Sequence, residues 1–437
     1  MHPGSTDAAS GVPEQRPGTM QAAARPTERE AFWFWLKLGF ISFGGPAGQI
    51  AIMHDELVER RRWIGERRFL HALNFCMALP GPEAQQLASY IGYSLYGVRG
   101  AITSGGLFVL PSFVILCAMS AVYVEYGDVT VVEGVVSGLG AAVVALIAAA
   151  VLRVGGRVIH TAAAAALALL SFAAILAGVP FPVILVVAAL AGWQAGGRDP
   201  RLLGRPAAHG DDEDDDQRGP PASARSILSR MWKGLVIWLF PVALLVLAGG
   251  LVGELAGFFT LAALVTFGGA YAVLPFVASA AVNHYGWLSS KDMVAGLALG
   301  ESTPGPLIMV NTFVGFVAGY HVEGNLAWGL VGATVATLAT FVPCFVWIIT
   351  GAPLIDRIRT TGGFANTLNG ITIAVVGVIG GLGVFVARHA LVSGGHVRWV
   401  LSLLAVAAFV AVWRFRVGVI PVIAVCAAVG VAEALIS

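Results

Sequence analysis

The sequence predicts an all-α polytopic membrane protein made of two inverted structural repeats, with broken or re-entrant helices at FGG and PGP motifs. Three observations carry this prediction. First, of 437 residues 57% are hydrophobic and 12% charged, about half the ~25% charge content of a soluble domain. Second, Phe43-Gly44-Gly45 recurs as Phe267-Gly268-Gly269, and Pro80-Gly81-Pro82 recurs as Pro304-Gly305-Pro306, both at an offset of 224 residues. Third, equivalent loops of the two halves carry opposite charge bias. The composition excludes a soluble globular enzyme, a disordered chain and a nucleic-acid binder. A net charge of +1 offers nothing to a polyanion.

The elements follow in chain order. Residues 1–30 are polar, without an apolar signal core, and read as a disordered cytoplasmic tail. Residues 31–196 form the N-terminal repeat, 197–232 a cytoplasmic linker, and 233–437 the C-terminal repeat preceded by an extra span. No Asp, Glu, Lys or Arg occurs in 100–124, 134–152, 158–197, 302–322, 324–355 or 360–387. The 158–197 stretch holds two spans, broken at Val179-Pro180-Phe181-Pro182. The linker contains an acidic run at Asp211 to Asp216, read as a hydrated connector. At the same 224-residue offset Trp63 matches Trp287, Tyr96 matches Tyr320 and Gly100 matches Gly324, which points to duplication. The four cysteines, Cys76, Cys117, Cys344 and Cys426, sit in apolar segments without metal-ligand spacing. No metal site or cofactor is expected.

Charge sets the orientation. The loop from His54 to Arg68 carries five arginines, whereas its counterpart, Asn283 to Asp292, carries one lysine. Further on, Glu125 and Asp128 in the first repeat face Arg357 and Arg359 in the second. Lys/Arg-rich loops stay cytoplasmic, so the repeats are expected to be inverted, with the N-terminus inside. Residues 101–124 then supply the one crossing between the Arg-rich loop and Glu125. The stretch 69–97 must return to the side it left. Neither of its halves is long enough to span ~30 Å at ~1.5 Å per residue. A hairpin of half-helices meeting at Pro80-Gly81-Pro82 fits, as does a second in 293–320. Similar hairpins are expected at the FGG motifs, the second over 257–281 after a span at 235–254.

The PGP and FGG breaks carry the candidate chemistry. Pro82 suits the first turn of a helix, because its missing N–H would be unpaired anyway. The amides after it lie at the positive end of a helix dipole, where an oxyanion binds. Gln85 and Gln86 add neutral amide donors. Glu83 reads as a proton carrier, as a gate that an anion displaces, or simply as a cap. In the mirror motif Glu301, Ser302, Thr303, Pro304, Gly305 and Pro306 precede Asn311 in the second half-helix. Gly44, Gly45, Gly268 and Gly269 let backbone approach a ligand or pack helices tightly. Ser42 and Thr266 precede them as hydroxyl donors. Pro80 and Gly81 complete the first break, and Lys37 is a cation within a re-entrant stretch. The cluster Arg60, Arg61, Arg62, Arg67 and Arg68 either recruits anions or sets topology. Arg153 and Arg157 end a span and read as snorkelling side chains.

These motifs resemble those of the chromate ion transporter (CHR) family, in its long two-domain form. The resemblance rests on residues 39–50 (Gly39 through Gly44-Gly45 to Ile50), the Glu59-Arg60-Arg61-Arg62-Trp63-Ile64 segment and residues 79–88 around Pro80-Gly81-Pro82. It continues through Phe267-Gly268-Gly269-Ala270-Tyr271 and Thr303-Pro304-Gly305-Pro306. It implies export of chromate across the bacterial inner membrane and chromate resistance, with sulfate as a structural analogue. The implied partners are the oxyanion and the lipid bilayer, with no nucleic acid; a homodimer is left open.

The physics agrees with export. A potential of ~100 mV, negative inside, favours loss of each negative charge by ~2.3 kcal/mol, or ~4.6 kcal/mol for a dianion. That supports a gradient beyond a thousandfold at ~1.4 kcal/mol per decade. Proton exchange at Glu83 or Glu301 could add to it. The alternative, an uptake carrier for sulfate or a related oxyanion, has to overcome the same energy through a coupling ion. An enzyme is not expected, because no intramembrane nucleophile–base pair or metal cluster is visible.

Overall fold

A computed structural model describes residues 26–43, 45–199, 202–204, 224–267, 269–352 and 362–436. Gly44, Gly268, most of the tail, the acidic run and Arg357/Arg359 lie outside the described residues. Sixteen α-helices account for almost all the rest, with one two-stranded hairpin pairing Val392–Ser393 with His396–Val397. Seven of the described helices are long and apolar enough to cross a membrane. The chain is an all-α polytopic membrane protein.

The first repeat opens with four short helical pieces. Helix α1 (Glu28–Ile41) is capped by the Thr27 hydroxyl, which accepts from the Glu30 amide. The chain breaks at Ser42 and resumes as α2 (Gly45–His54), which widens into a π-helical turn, Asp55–Arg60. Helix α3 (Glu66–Ala78) stops before Pro80, and α4 (Glu83–Tyr126) starts after Pro82. Within α4 the backbone leaves helical geometry at Tyr96 and Gly97. The half-helix 83–95 therefore turns into a separate span, as the parity of the charges demanded. Helices α5 (Thr130–Val158), α6 (Ala162–Leu176) and α7 (Phe181–Arg198) complete the repeat. The second repeat follows the extra helix α8 (Ala224–Ala248). It comprises α9 (Gly250–Leu264), α10 (Ala270–Ser279), α11 (Ser290–Ser302), α12 (Val310–Glu323), α13 (Leu326–Gly351), α14 (Gly362–Leu391), α15 (Trp399–Trp413) and α16 (Val419–Ile436).

Two boundaries differ from the sequence expectation. The span expected over 235–254 ends at Ala248, because Gly249 and Gly250 both take positive φ, +72° and +69°. The half-helix before the second FGG thus begins at Gly250, not 257. Helix α6, expected as a span, has 15 residues and is roughly 22 Å long, short of the ~30 Å core. It ends early because Gly178 turns at φ +82°.

Ring and side-chain contacts show that the chain reverses at all four breaks. Phe258 lies 5.1 Å from Phe276 and 5.7 Å from Trp287, across the break at 265–269. In the first repeat the equivalent pair, Phe34 and Trp63, lies 5.0 Å apart. Arg68 on α3 comes within 3.5 Å of the Tyr90 hydroxyl on α4, an approach that only an antiparallel hairpin allows. A Cβ on Gly296 would run into the Phe313 ring, and one on Gly300 into Val310. Each half-helix of 10–15 residues is roughly 15–22 Å long and ends within the membrane.

Inversion is visible in the packing of equivalent spans. The second part of α4 runs antiparallel to α13. Gly105 meets Phe345, while Cys117 clusters with Phe316 and Ala333 near the other end. Helix α5 is likewise antiparallel to its counterpart α14: Gly140 faces Ala390, and Gly155 faces Val376. The terminal hairpins are exchanged. Helices α6 and α7 pack on α14 of the other repeat, and α15 and α16 pack on α5. Glycine makes this possible. Gly134 and Gly138 touch Gly430 backbone to backbone, and Gly192 touches Gly370 in the same way.

The orientation is tested at Glu59 and Asn283, which are equivalent and exposed. Cysteines placed there should react with an impermeant maleimide from opposite sides of the membrane. Same-side labelling would contradict the inverted arrangement relative to the bilayer.

Candidate functional site

The site is built where the four hairpin tips cross. Each PGP turn reaches the FGG turn of the opposite repeat. The Gly81 amide donates to the Thr266 carbonyl at 2.8 Å, and the Gly305 amide donates to the Ser42 carbonyl at 2.7 Å. The four residues are equivalent in pairs, so the two bonds are one contact written twice about a pseudo-two-fold axis. Only glycine can make this turn. Gly81 and Gly305 take φ of +121° and +105°, a region that L side chains rarely adopt. Their twins at the FGG tips, Gly45 and Gly269, take +70° and +96°.

Ser42 and Thr266 serve here through their backbone. Their hydroxyls, expected as free donors, turn back onto the carbonyls of Leu38 and Ala262, each at 2.6 Å. Helices prefer to close such hydroxyls locally when no water is present. Ser302 and Thr303 behave alike, donating to Leu299 and Gly300. The Asn311 amide donates to Thr340 on α13. Gln85 and Gln86 are fully buried. Their amide nitrogens donate to the Ser89 hydroxyl at 3.0 Å and to the Pro80 carbonyl at 2.7 Å. Each of these side chains thus donates within the protein, and Gln86 holds the turn itself. Backbone amides supply further donors. The first bond back into α4 runs from Gln86 to the Pro82 carbonyl, so the amides of Glu83, Ala84 and Gln85 have no helical partner. Pro304 and Pro306 flank the mirror turn, and both are buried.

Two carboxylates border this centre. A Cβ on Gly269 would stand 3.6 Å from Oε1 of Glu83, which places the carboxylate against the second FGG tip. Glu301 accepts a 2.6 Å hydrogen bond from the Tyr271 hydroxyl. Tyr271 also approaches Gly45 of the first tip. The two repeats differ in polarity here. Glu83-Ala84-Gln85-Gln86 corresponds to Leu307-Ile308-Met309-Val310, and Glu301 corresponds to Met77. The α4 N-terminus is therefore the polar helix end, and Glu301 answers it from the other repeat.

Lys37 is not part of this constellation. It is exposed on α1, while Phe34, Trp35 and Leu38 are buried. The arginine-rich loop is largely self-neutralised. Arg60 pairs with Asp55 and Glu56, and Arg61 pairs with Glu30 and Glu56 while lying over the Phe34 and Trp63 rings.

One residue at the centre escaped the sequence reading. Gln49 is completely buried, and its amide donates to the Gly305 carbonyl at 2.6 Å and the Ser42 carbonyl at 3.3 Å. Its twin is Val273, so the internal repeat gives no hint of it. A polar residue on an otherwise apolar α2 was the available signal. Gln49→Leu should lower the apparent unfolding midpoint in detergent, because an orphaned buried carbonyl costs about 1–3 kcal/mol. An unchanged midpoint would show that Gln49 does not brace the crossing.

Paired helix breaks contributed by inverted repeats, meeting at a common centre, are the architecture of a membrane transporter. The chain belongs to the chromate transporter family, whose sequence model matches residues 29–193 and 253–431. It is 31% identical to a probable chromate transport protein of Synechococcus elongatus, over 82% of this chain and 84% of that one. It is 30% identical to the chromate transport protein of Pseudomonas aeruginosa, over 90% and 89%. The corresponding protein of Cupriavidus metallidurans is 28% identical over 86% of each chain. No solved structure matches the chain.

Proposed function

We propose that the protein is a secondary carrier that exports chromate, a tetrahedral dianion, from the cytosol across the inner membrane, with its N-terminus cytoplasmic. The observation that carries this reading is the crossing of the hairpin tips, with the unpaired amides of α4 at its centre. A desolvated dianion needs several donors. Backbone amides at a helix end offer them without a fixed cation that would slow release. The names of the relatives support chromate as the substrate.

Alternating access requires one closed face. On the side assigned as outer, Tyr123 donates to Asp292 at 2.7 Å, Lys291 pairs with Glu133 at 2.8 Å, and Tyr320 donates to Glu125 at 3.2 Å. All three contacts tie the first repeat to the second. The Lys291–Glu133 and Tyr320–Glu125 contacts are exposed and individually weak, and with the half-buried Tyr123–Asp292 bond they are the contacts that open in the cycle. Glu83 and Glu301 are the groups with which an incoming dianion must compete, and they are the proposed proton carriers if export is also coupled to protons.

The test is uptake of radiolabelled chromate into inverted membrane vesicles containing the purified protein. Accumulation that sulfate inhibits competitively is expected. Absence of chromate accumulation, with sulfate driven the opposite way, would replace this reading by oxyanion uptake.

A further inference from the structure

A second positively lined feature lies between the exchanged terminal hairpin and the first FGG tip. A cleft of about 700 Å³ is bordered by Phe43, Arg153, Trp413, Arg416 and Pro421, within the ~300–1,000 Å³ range of small-molecule sites. Its walls come from both repeats: Phe43 and Arg153 from the first, and the α15–α16 turn from the second. Arg153 lies near the C-terminal end of α5, and α15 runs parallel to α5, with Ala141 beside Leu401 and Ala149 in one cluster with Val412. The α15–α16 turn therefore shares the face of the α5 C-terminus. By the charge bias of the loops that face is cytosolic.

One observation sets these arginines apart from Arg60 and Arg61. Among the described residues neither Arg153 nor Arg416 forms an ion pair with a carboxylate. Arg416 takes φ +53°, much as Arg62 of the arginine-rich loop takes +52°, a conformation that costs a non-glycine residue free energy. The cleft reaches the first FGG tip at Phe43. Phe43 belongs to the hairpin tip next to Ser42.

We propose that this cleft is the cytosolic loading site, where Arg153 and Arg416 hold a tetrahedral dianion before it passes Phe43 to the crossing of the hairpin tips. The proposal rests on the export reading above. Two guanidiniums suit a dianion, because each presents a planar fork of donors to a pair of oxygens. At the mouth, in contact with water, such a pair raises the local concentration of anions and remains screened enough to release them. The snorkelling role expected of Arg153 gives way to a paired one, because Arg416 on the other repeat completes the site.

Chromate uptake into inverted vesicles tests this, since the cytosolic face is then outward. Arg153→Gln and Arg416→Gln should each raise KM about tenfold and leave the saturated rate within about twofold. Arg157→Gln, the same charge loss one turn along α5, should leave KM unchanged. Val417 lines the same cleft and is exposed. Val417→Glu should raise KM and Val417→Lys should not, a comparison that leaves both arginines intact. An anionic lipid headgroup offers the arginines the same chemistry, so vesicles with and without phosphatidylglycerol are compared. Wild-type KM in both Gln variants and in Val417→Glu would overturn the loading site. So would variants that lose only the dependence on phosphatidylglycerol. A wild-type protein that moves no chromate would overturn the export reading itself.

Discussion

Gly305→Ala should abolish transport and sharply reduce the amount of folded protein in the membrane. A Cβ at this position would stand 2.7 Å from Ser112 Cβ, and the residue holds φ +105°. The strained backbone costs about 1–3 kcal/mol and the overpacking about 1–3 kcal/mol more. The Gly305 amide and carbonyl also hold Ser42 and Gln49, so a shifted turn loses those bonds too. Gly81→Ala should behave alike, since its Cβ would meet Cys344 Sγ at 2.6 Å at φ +121°. Expression level and the apparent unfolding midpoint in detergent are the readouts. Adding Ser112→Gly to Gly305→Ala should recover part of the loss, because it removes the clash but not the backbone strain. A Gly305→Ala protein as stable and active as wild type would remove the crossing from the account of transport.

Collapsing the membrane potential should reduce the steady-state chromate gradient from as much as a thousandfold to near unity, even with a pH gradient maintained. The magnitude follows from the ~4.6 kcal/mol that a dianion gains in crossing ~100 mV. In vesicles this is a valinomycin–potassium clamp at zero potential, followed by labelled chromate. If accumulation persists under the clamp, protons supply the energy. Glu83→Gln or Glu301→Gln should then remove the dependence on the pH gradient. The two carboxylates are separable in this test, because Glu301 is held by Tyr271 while Glu83 lies against the Gly269 backbone. Tyr271→Phe should alter only the Glu301 component.

Much of this architecture was legible in the sequence because duplication writes it twice. The breaks at Ser42, Pro80, Thr266 and Pro304 are local properties of Gly and Pro, which interrupt a helix wherever they fall together. Loop charges and segment lengths then forced the hairpins, and Phe34/Trp63 and Phe258/Trp287 close them. Residue type alone does not show how each polar side chain is engaged. The hydroxyls of Ser42, Thr266, Ser302 and Thr303 bond to carbonyls three or four residues back. A hydroxyl on a helix has a carbonyl one turn back, and in an apolar interior that partner is always nearer than a solute. Lys37 is an anion-ligand candidate by its place within a re-entrant stretch. The buried positions Phe34, Trp35 and Leu38 put it on the opposite face of α1.

The sequence by itself determined the class of the protein, its two repeats, their inversion and the location of the four breaks. These depend on composition, on local chain stiffness and on loop charge, all of which are properties of short segments. Tertiary structure alone decided which break meets which. It paired Gly81 with Thr266 and Gly305 with Ser42, exchanged the terminal hairpins, and brought Gln49 and Tyr271 to the centre. The distances spanned are the reason: Gln49 and Gly305 are 256 residues apart, and no local pattern encodes a contact that arises only when two inverted halves pack. Arg153 and Arg416 line one cleft on the same terms, since Arg153 lies near the end of α5 and Arg416 in the α15–α16 turn until the exchanged hairpin packs on α5.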